Sequence, residues 1–269
     1  MDIKQDNIRF RNNFDIIRAL AALLVVYSHT YALTGDVVDW WRNSSGDPLQ
    51  EYTGQYSLGT LGVYIFFITS GYLIPKSAIN SPTLSNYFKK RFLRIIPALL
   101  FTTIIITFIV GPIYTKLSLW DYLTNWETYY YLTTIRLYII PYTLPGVFEN
   151  NPYPNIVNGP LWTLSGEFTC YIIVALLAYF KLFKKVNRIL LIHLAVFIFL
   201  LMVDIRMTPI KSMPLSYYIF FPIRFLGGNS TLVFYLYFSS GMLLSLYEKK
   251  IRYDYKFFIL FLFIFLYSL

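Results

Sequence analysis

Cysteine is almost missing from this chain: a single one, Cys170, stands among 269 residues. No disulfide framework and no cluster of thiolate metal ligands can be assembled from one thiol. Its place in an apolar run makes it a small packing residue rather than a nucleophile. Charge is scarce as well, at 14% of residues, which is too little to clothe a soluble domain. Histidine occurs only twice, so each one needs an account. No internal repeat, low-complexity tract or flexible linker divides the sequence, and residues 1–269 read as a single domain.

Apolar residues make up 57% of the chain and aromatics 20%. Runs long enough to cross a bilayer extend from Phe14 to Leu33, Leu58 to Pro75, Phe92 to Tyr114, Leu161 to Phe180, Ile189 to Val203, Thr231 to Tyr247 and Phe257 to Leu269. The expected fold is therefore all-α, a polytopic transmembrane helix bundle of about seven spans. The first run is longer than the core of a signal peptide and has no small-x-small cleavage site, so it is read as a retained span. The sequence stops inside an apolar run at Leu269, which predicts either an incomplete C-terminal end or a last helix that ends almost at the membrane surface.

A net charge of +9 suggests nucleic acid until its distribution is followed. With the N-terminus in the cytoplasm, the inner segments collect most of the basic residues, among them Lys76, Lys89, Lys90, Arg91, Arg94, Lys181, Lys184, Lys185, Arg188, Lys249 and Lys250. Arg42, Lys116, Arg136, Arg206, Lys211 and Arg224 fall outside. That bias follows the positive-inside rule of a multi-pass protein of the plasma (inner) membrane. No exposed basic face with interleaved stacking groups stands out, so no nucleic-acid partner is expected.

The outer loops Thr34 to Ser57 and Tyr114 to Pro160 carry most of the acids and many aromatics. Pro141, Pro145, Pro152, Pro154 and Pro160 oppose helix over much of the second loop, which is expected to fold back over the spans as a lid. Trp126, Tyr129, Tyr130 and Tyr131 fit an aromatic belt at the membrane surface better than a sugar-stacking platform.

Ionisable side chains inside spans are the sharper signal, because a bilayer penalises them unless they face a partner or a cavity. Arg18 and His29 lie eleven residues apart in the first span, which places them on one helix face about 16 Å apart. An imidazole there is able to take a proton at neutral pH. In the second span, Gly62, Ser70 and Gly71 either pack helices closely or leave room for a ligand. Arg91 and Arg94 open the third span from the inner side, where guanidinium pairs hold phosphate oxygens or merely snorkel to the interface. Glu167 follows Trp162 and Ser165 about two turns into the fourth span, in the depth range of His29. It serves either to orient an imidazole or to tie two helices together. His193 and Arg224 have no companions at meaningful spacing and read as structural.

Asp15-x-x-Arg18 with His29 eleven on, Gly62-Val63-x-x-Phe66-Phe67-x-x-Ser70-Gly71, Arg91-x-x-Arg94-Ile-x-Pro97 and Leu161-Trp162-x-Leu-Ser165-x-Glu167 resemble, in order and spacing, the membrane-bound acyltransferase-3 family. Tyr235 to Met242 is similar to a late helix of that family. The resemblance implies a core of ten helices, of which this chain offers about seven. Gly166 stands where a larger residue commonly precedes the glutamate. The resemblance also implies O-acylation: transfer of an acyl group, commonly acetyl, from cytoplasmic acyl-coenzyme A to a hydroxyl of a cell-surface or lipid-linked glycan, without a metal.

On that resemblance His29 is the general base and Glu167 its support. Arg18, Ser70, Arg91 and Arg94 hold the donor, and Trp162 and Ser165 the acceptor. A tunnel is then expected between the helices, basic at its inner mouth and ending at His29. The alternative is a transporter or flippase for a lipid-linked glycan, since buried charges and outer aromatics also line permeation paths.

Overall fold

A computed structural model describes residues 13–34, 46–53, 56–207, 228–248 and 250. The seventh expected span, Phe257 to Leu269, lies outside them, as does Arg224. The described residues form a helical bundle with a helical lid at one end. Among the described residues, four segments are long and apolar enough to cross a membrane: Phe14–Tyr31, Leu58–Ile79, Leu84–Tyr114 and Gly159–Tyr179. Two shorter apolar stretches, Val186–Phe199 and Leu232–Tyr247, match the fifth and sixth expected spans.

In chain order the helices are α1 (Phe14–Thr34), α2 (Pro48–Thr53), α3 (Leu58–Ile79), α4 (Leu84–Ile105), α5 (Gly111–Tyr114), α6 (Leu119–Thr124), α7 (Trp126–Tyr130), α8 (Thr163–Tyr179), α9 (Val186–Met207) and α10 (Gly228–Tyr247). A π-helical turn, Ile106–Val110, joins α4 to α5, so the two run as one rod. Helix α3 is the hub: it packs on α1 and on α10 and also touches α8.

Glycines set these contacts. A Cβ on Gly62 would lie 2.6 Å from the Ala21 carbonyl oxygen, and one on Gly59 would lie 2.9 Å from Ser28 Oγ. With Arg18 meeting Ser70 lower down, α1 and α3 run antiparallel. On the other side of α3, Gly71 meets the backbone of Phe238, Gly241 meets that of Ile68, and Phe67 stacks on Phe234 with ring centres 4.2 Å apart. Helices α3 and α10 therefore run parallel. The main core fills between α3, α4, α8 and α10 with Phe67, Ile74, Tyr87, Leu99, Cys170, Tyr171, Val174, Phe238 and Met242. Cys170 is fully buried there, in the packing role its surroundings predict.

The third span differs from its sequence reading. Helix α4 starts at Leu84, two turns before Phe92, because Thr83 caps it by accepting from the Asn86 amide. Helix α3 likewise continues past Pro75 to Ile79. Arg91 and Arg94 are therefore inside α4 rather than at its mouth, and residues 80–83 alone join the two helices. One end of the bundle gathers Lys76, Lys89, Lys90, Lys181, Lys184, Lys185, Arg188 and Lys250, and is called the basic end below; the other carries the lid.

The lid is built as expected around its prolines. Helical pieces occupy Leu119–Arg136, and the next helical turn comes only at Gly159–Trp162. A small core of Tyr122, Tyr131, Leu144 and Val147 holds it together, aided by an isolated antiparallel bridge between Thr115 and Val147. Gly146 meets that bridge with φ +70° and no room for a Cβ, since Thr115 Oγ1 would lie 2.7 Å away. The lid rests on the bundle through the turn Tyr131–Arg136 against α4 and through Tyr138 against Phe168.

Candidate active site

Helix α4 packs only sparingly on α3 and α8, and the space between the three is a cavity of about 420 Å³. Its wall is mostly apolar: Val63, Phe66 and Phe67 from α3, Ile95, Ala98 and Leu99 from α4, Leu161 and Leu164 from the approach to α8 and its first turn. Five polar side chains interrupt it, Ser70, Arg94, Thr102, Thr163 and Glu167. An apolar pocket with a few convergent polar groups is the usual form of a ligand site.

Arg18 approaches from α1, and its Nη2 donates to Ser70 Oγ at 3.5 Å. It lies near the charged side chains of Arg94, Glu167 and Asp15 and near the Tyr171 phenol. Arg91, on the buried side of α4, donates from Nη2 to Ser77 Oγ at 3.3 Å. Its guanidinium lies 5.9 Å from the Tyr87 ring centre and 5.7 Å from that of Tyr171, within cation–π range of both. Arg94 is exposed into the cavity. The Nε atoms of Arg18 and Arg91 are buried without a hydrogen-bond partner among the described residues. Of the three arginines only Arg94 lines the cavity, with Arg18 and Arg91 behind its wall; guanidiniums gathered this way suit a multiply charged oxyanion.

Glu167 accepts a short hydrogen bond from the Tyr171 hydroxyl one turn below it on α8. It does not share the level of His29, as the sequence suggested. The chain enters α8 through an inset turn, Gly159–Trp162, whose Trp162 ring lies 5.1 Å from that of Phe234. Gly166 then abuts Phe234 and Phe67, eight residues down α3 from the Gly59 that meets Ser28. Glu167 thus lies about 12 Å nearer the basic end than His29, beside Arg18 and Ser70.

His29 is half-buried near the lid end. Its Nδ1 is 2.7 Å from the Val25 carbonyl oxygen, and because a carbonyl only accepts, Nδ1 carries the hydrogen and Nε2 keeps the lone pair of the neutral ring. Beside it, Ser28 Oγ donates to Asp47 Oδ2 at 2.6 Å. The same carboxylate accepts from the amides of Leu58 and Gln50, fixing the tops of α1, α2 and α3 together. His29 is not in the cavity wall, so the cavity does not extend to the imidazole among the described residues.

Ser165 donates to the Trp162 carbonyl oxygen at 2.9 Å, and neither residue lines the cavity. His193 meets Ser239 through Nδ1 at 2.6 Å, tying α9 to α10. Sequence reasoning overlooked Tyr171, Tyr87 and Asp47. Tyr171 was findable, four residues after Glu167 and so on the same helix face. Tyr87 and Asp47 gave no local signal.

Residues 11–269 match the profile of a family described as an acyltransferase domain. The chain belongs to the acyltransferase-3 family. Among curated proteins, this family member is 35% identical over 194 residues to an O-acetyl transferase of Shigella phage Sf6, covering 68% of this chain and 51% of that one. It is 33% identical over 176 residues to nodulation protein 10 of Rhizobium leguminosarum bv. viciae, covering 62% of this chain and 44% of that one. The acyltransferase-3 chain thus spans about half the length of the curated relatives it matches. No solved structure matches it significantly.

Proposed function

We propose that this protein is an integral membrane O-acyltransferase that moves an acyl group, acetyl in the first instance, from acyl-coenzyme A to a hydroxyl of a cell-surface or lipid-linked glycan. The observation that carries the reading is the cavity between α3, α4 and α8, with Arg94 in its wall and the unsatisfied guanidinium nitrogens of Arg18 and Arg91 close by at the basic end. Family membership and the name of the phage relative support O-acetylation. The basic end faces the cytoplasm of the plasma (inner) membrane under the positive-inside rule, on the side where acyl-coenzyme A is made.

In this reading Arg91, Arg94 and Arg18 hold the donor phosphates, and the pantetheine arm runs along the apolar wall toward the lid end. The acceptor hydroxyl oxygen attacks the thioester carbonyl, forming the new C–O bond. His29 Nε2 takes the hydroxyl proton, the C–S bond breaks, and the thiolate of coenzyme A leaves and is reprotonated. Glu167, held by Tyr171, lies at the level of Arg18 and acts in the transfer step rather than in holding the donor; its separation from His29 argues against a direct carboxylate–imidazole pair.

The test is transfer of radiolabelled acetyl from acetyl-coenzyme A to endogenous glycan in membranes containing the wild type or His29→Ala. Loss of label with His29→Ala is expected, and undiminished transfer would remove the base. Movement of an unmodified glycan across the membrane, with no label gained, would favour the transporter alternative.

A further inference from the structure

Tyr171 takes no part in donor or acceptor contacts in the reading above, yet it bridges Glu167 and Arg91. It is fully buried on α8, and its hydroxyl donates to Glu167 Oε1. Its ring lies 5.7 Å from the Arg91 guanidinium carbon. Its backbone carbonyl accepts from the Tyr87 hydroxyl at 3.0 Å, and the Tyr87 ring flanks the same guanidinium at 5.9 Å. One side chain therefore touches the carboxylate of the cavity wall with its polar tip and the buried arginine with its face.

Each half of that contact limits a freedom that matters. A phenol donating to one carboxylate oxygen fixes the rotamer of Glu167 and leaves the other oxygen free. An aromatic face restrains the plane of a guanidinium whose Nε has no partner, presenting it ready for an anion. Resting on the acyltransferase reading, we propose that Tyr171 is a positioning residue: its hydroxyl orients Glu167 for the transfer step, and its ring orients Arg91 for the phosphates of the donor.

The two halves separate by substitution. Tyr171→Phe keeps the ring and deletes the hydroxyl, so kcat is expected to fall about 10- to 100-fold, the range of a hydrogen bond to a charged group, while KM for acetyl-coenzyme A changes less than about twofold. Tyr171→Leu removes both, and KM for the donor is expected to rise about fivefold in addition. Glu167→Gln, of the same shape, should reproduce the Tyr171→Phe signature. The double variant should lose no more than the worse single one, because both delete one interaction.

Thermal midpoints of the purified full chain in detergent accompany the kinetics; loss of kcat at an unchanged midpoint separates positioning from folding. Wild-type kcat in Tyr171→Phe, multiplicative losses in the double variant, or a raised donor KM in Glu167→Gln would each overturn the proposal. Should Tyr171→Phe fail to accumulate, the Glu167→Gln arm still decides. A wild type that transfers no label sinks the acyltransferase reading and the proposal together, whereas an active wild type with any overturning result sinks the positioning role alone.

Discussion

Gly71 on α3 and Phe238 on α10 cross so closely that a Cβ on Gly71 would lie 1.8 Å from the Phe238 carbonyl oxygen. Gly241 returns the contact, since its Cβ would lie 2.0 Å from the Ile68 carbonyl oxygen. Backbones at this distance gain dispersion that no larger residue permits. Gly71→Ala or Gly241→Ala must separate the helices and is expected to cost about 2 kcal/mol or more. Gly159 is the control, because its Cβ would meet nothing nearer than 3.6 Å. Thermal unfolding in detergent checks this: a Gly71→Ala protein as stable as Gly159→Ala would show that the crossing is looser than described.

One of the lid's contacts with the rod is a hydrogen bond that a single substitution removes. Tyr122 donates to the Thr107 carbonyl oxygen at 2.8 Å within the π-helical turn, and Gly111 leaves the space its hydroxyl occupies, 1.9 Å from where a Cβ would be. Tyr122→Phe removes one hydrogen bond and is expected to cost about 1 kcal/mol. Gly111→Ala expels the ring itself and should open the lid further. Proteolysis of residues 115–160 in intact membranes is the measure, with cleavage ordered Gly111→Ala, Tyr122→Phe, wild type. Equal rates would mean that the lid is held elsewhere.

Alkali should loosen the same lid. Burial pushes the Tyr122 and Tyr131 hydroxyls up to about 12, because the phenolate is poorly solvated there. A group whose folded-state value is raised stabilises the fold fully below its ordinary value near 10 and loses that contribution as pH climbs toward 12. Proteolytic protection of the lid should therefore hold below about pH 10 and fall between there and 12. Replacing both tyrosines with phenylalanine should flatten that part of the profile; an unchanged fall would place the sensitive group outside the lid.

The bundle was legible in the sequence because apolar run length survives any packing detail. Glycine roles were not: Gly62 and Gly71 look alike beside a candidate ligand serine, and only coordinates show both filled by neighbouring backbone while Ser70 faces the cavity. The levels of His29 and Glu167 were misjudged because run length does not show which neighbours a residue meets: Gly166, beside Glu167, abuts Phe67 and Phe234, eight residues along α3 from the Gly59–Ser28 contact. Asp47 was invisible, since its partners Ser28 and Leu58 are distant in sequence and its own neighbourhood reads as loop. Arg91 and Arg94 were found as a pair, but a spacing of three could not tell the buried one from the exposed one.

On the proposed acyltransferase reading, that last difference lets donor binding be dissected. Arg94 is exposed into the cavity, so its attraction for phosphate is screened by salt, whereas Arg91, 9% exposed and flanked by two rings, is screened far less. Arg94→Gln is expected to weaken binding of coenzyme A by about tenfold at low salt, and raising the ionic strength should reduce wild-type affinity toward the level of this variant. Arg91→Lys should weaken binding at every salt concentration, because an ammonium lacks the planar fork and its fit between the tyrosine rings. Titration calorimetry of the purified protein with coenzyme A reads both effects without requiring turnover. If the two variants lose affinity equally and with the same salt dependence, the pair acts as a diffuse interfacial charge; if neither loses affinity while both melt early, the arginines hold helices rather than a donor.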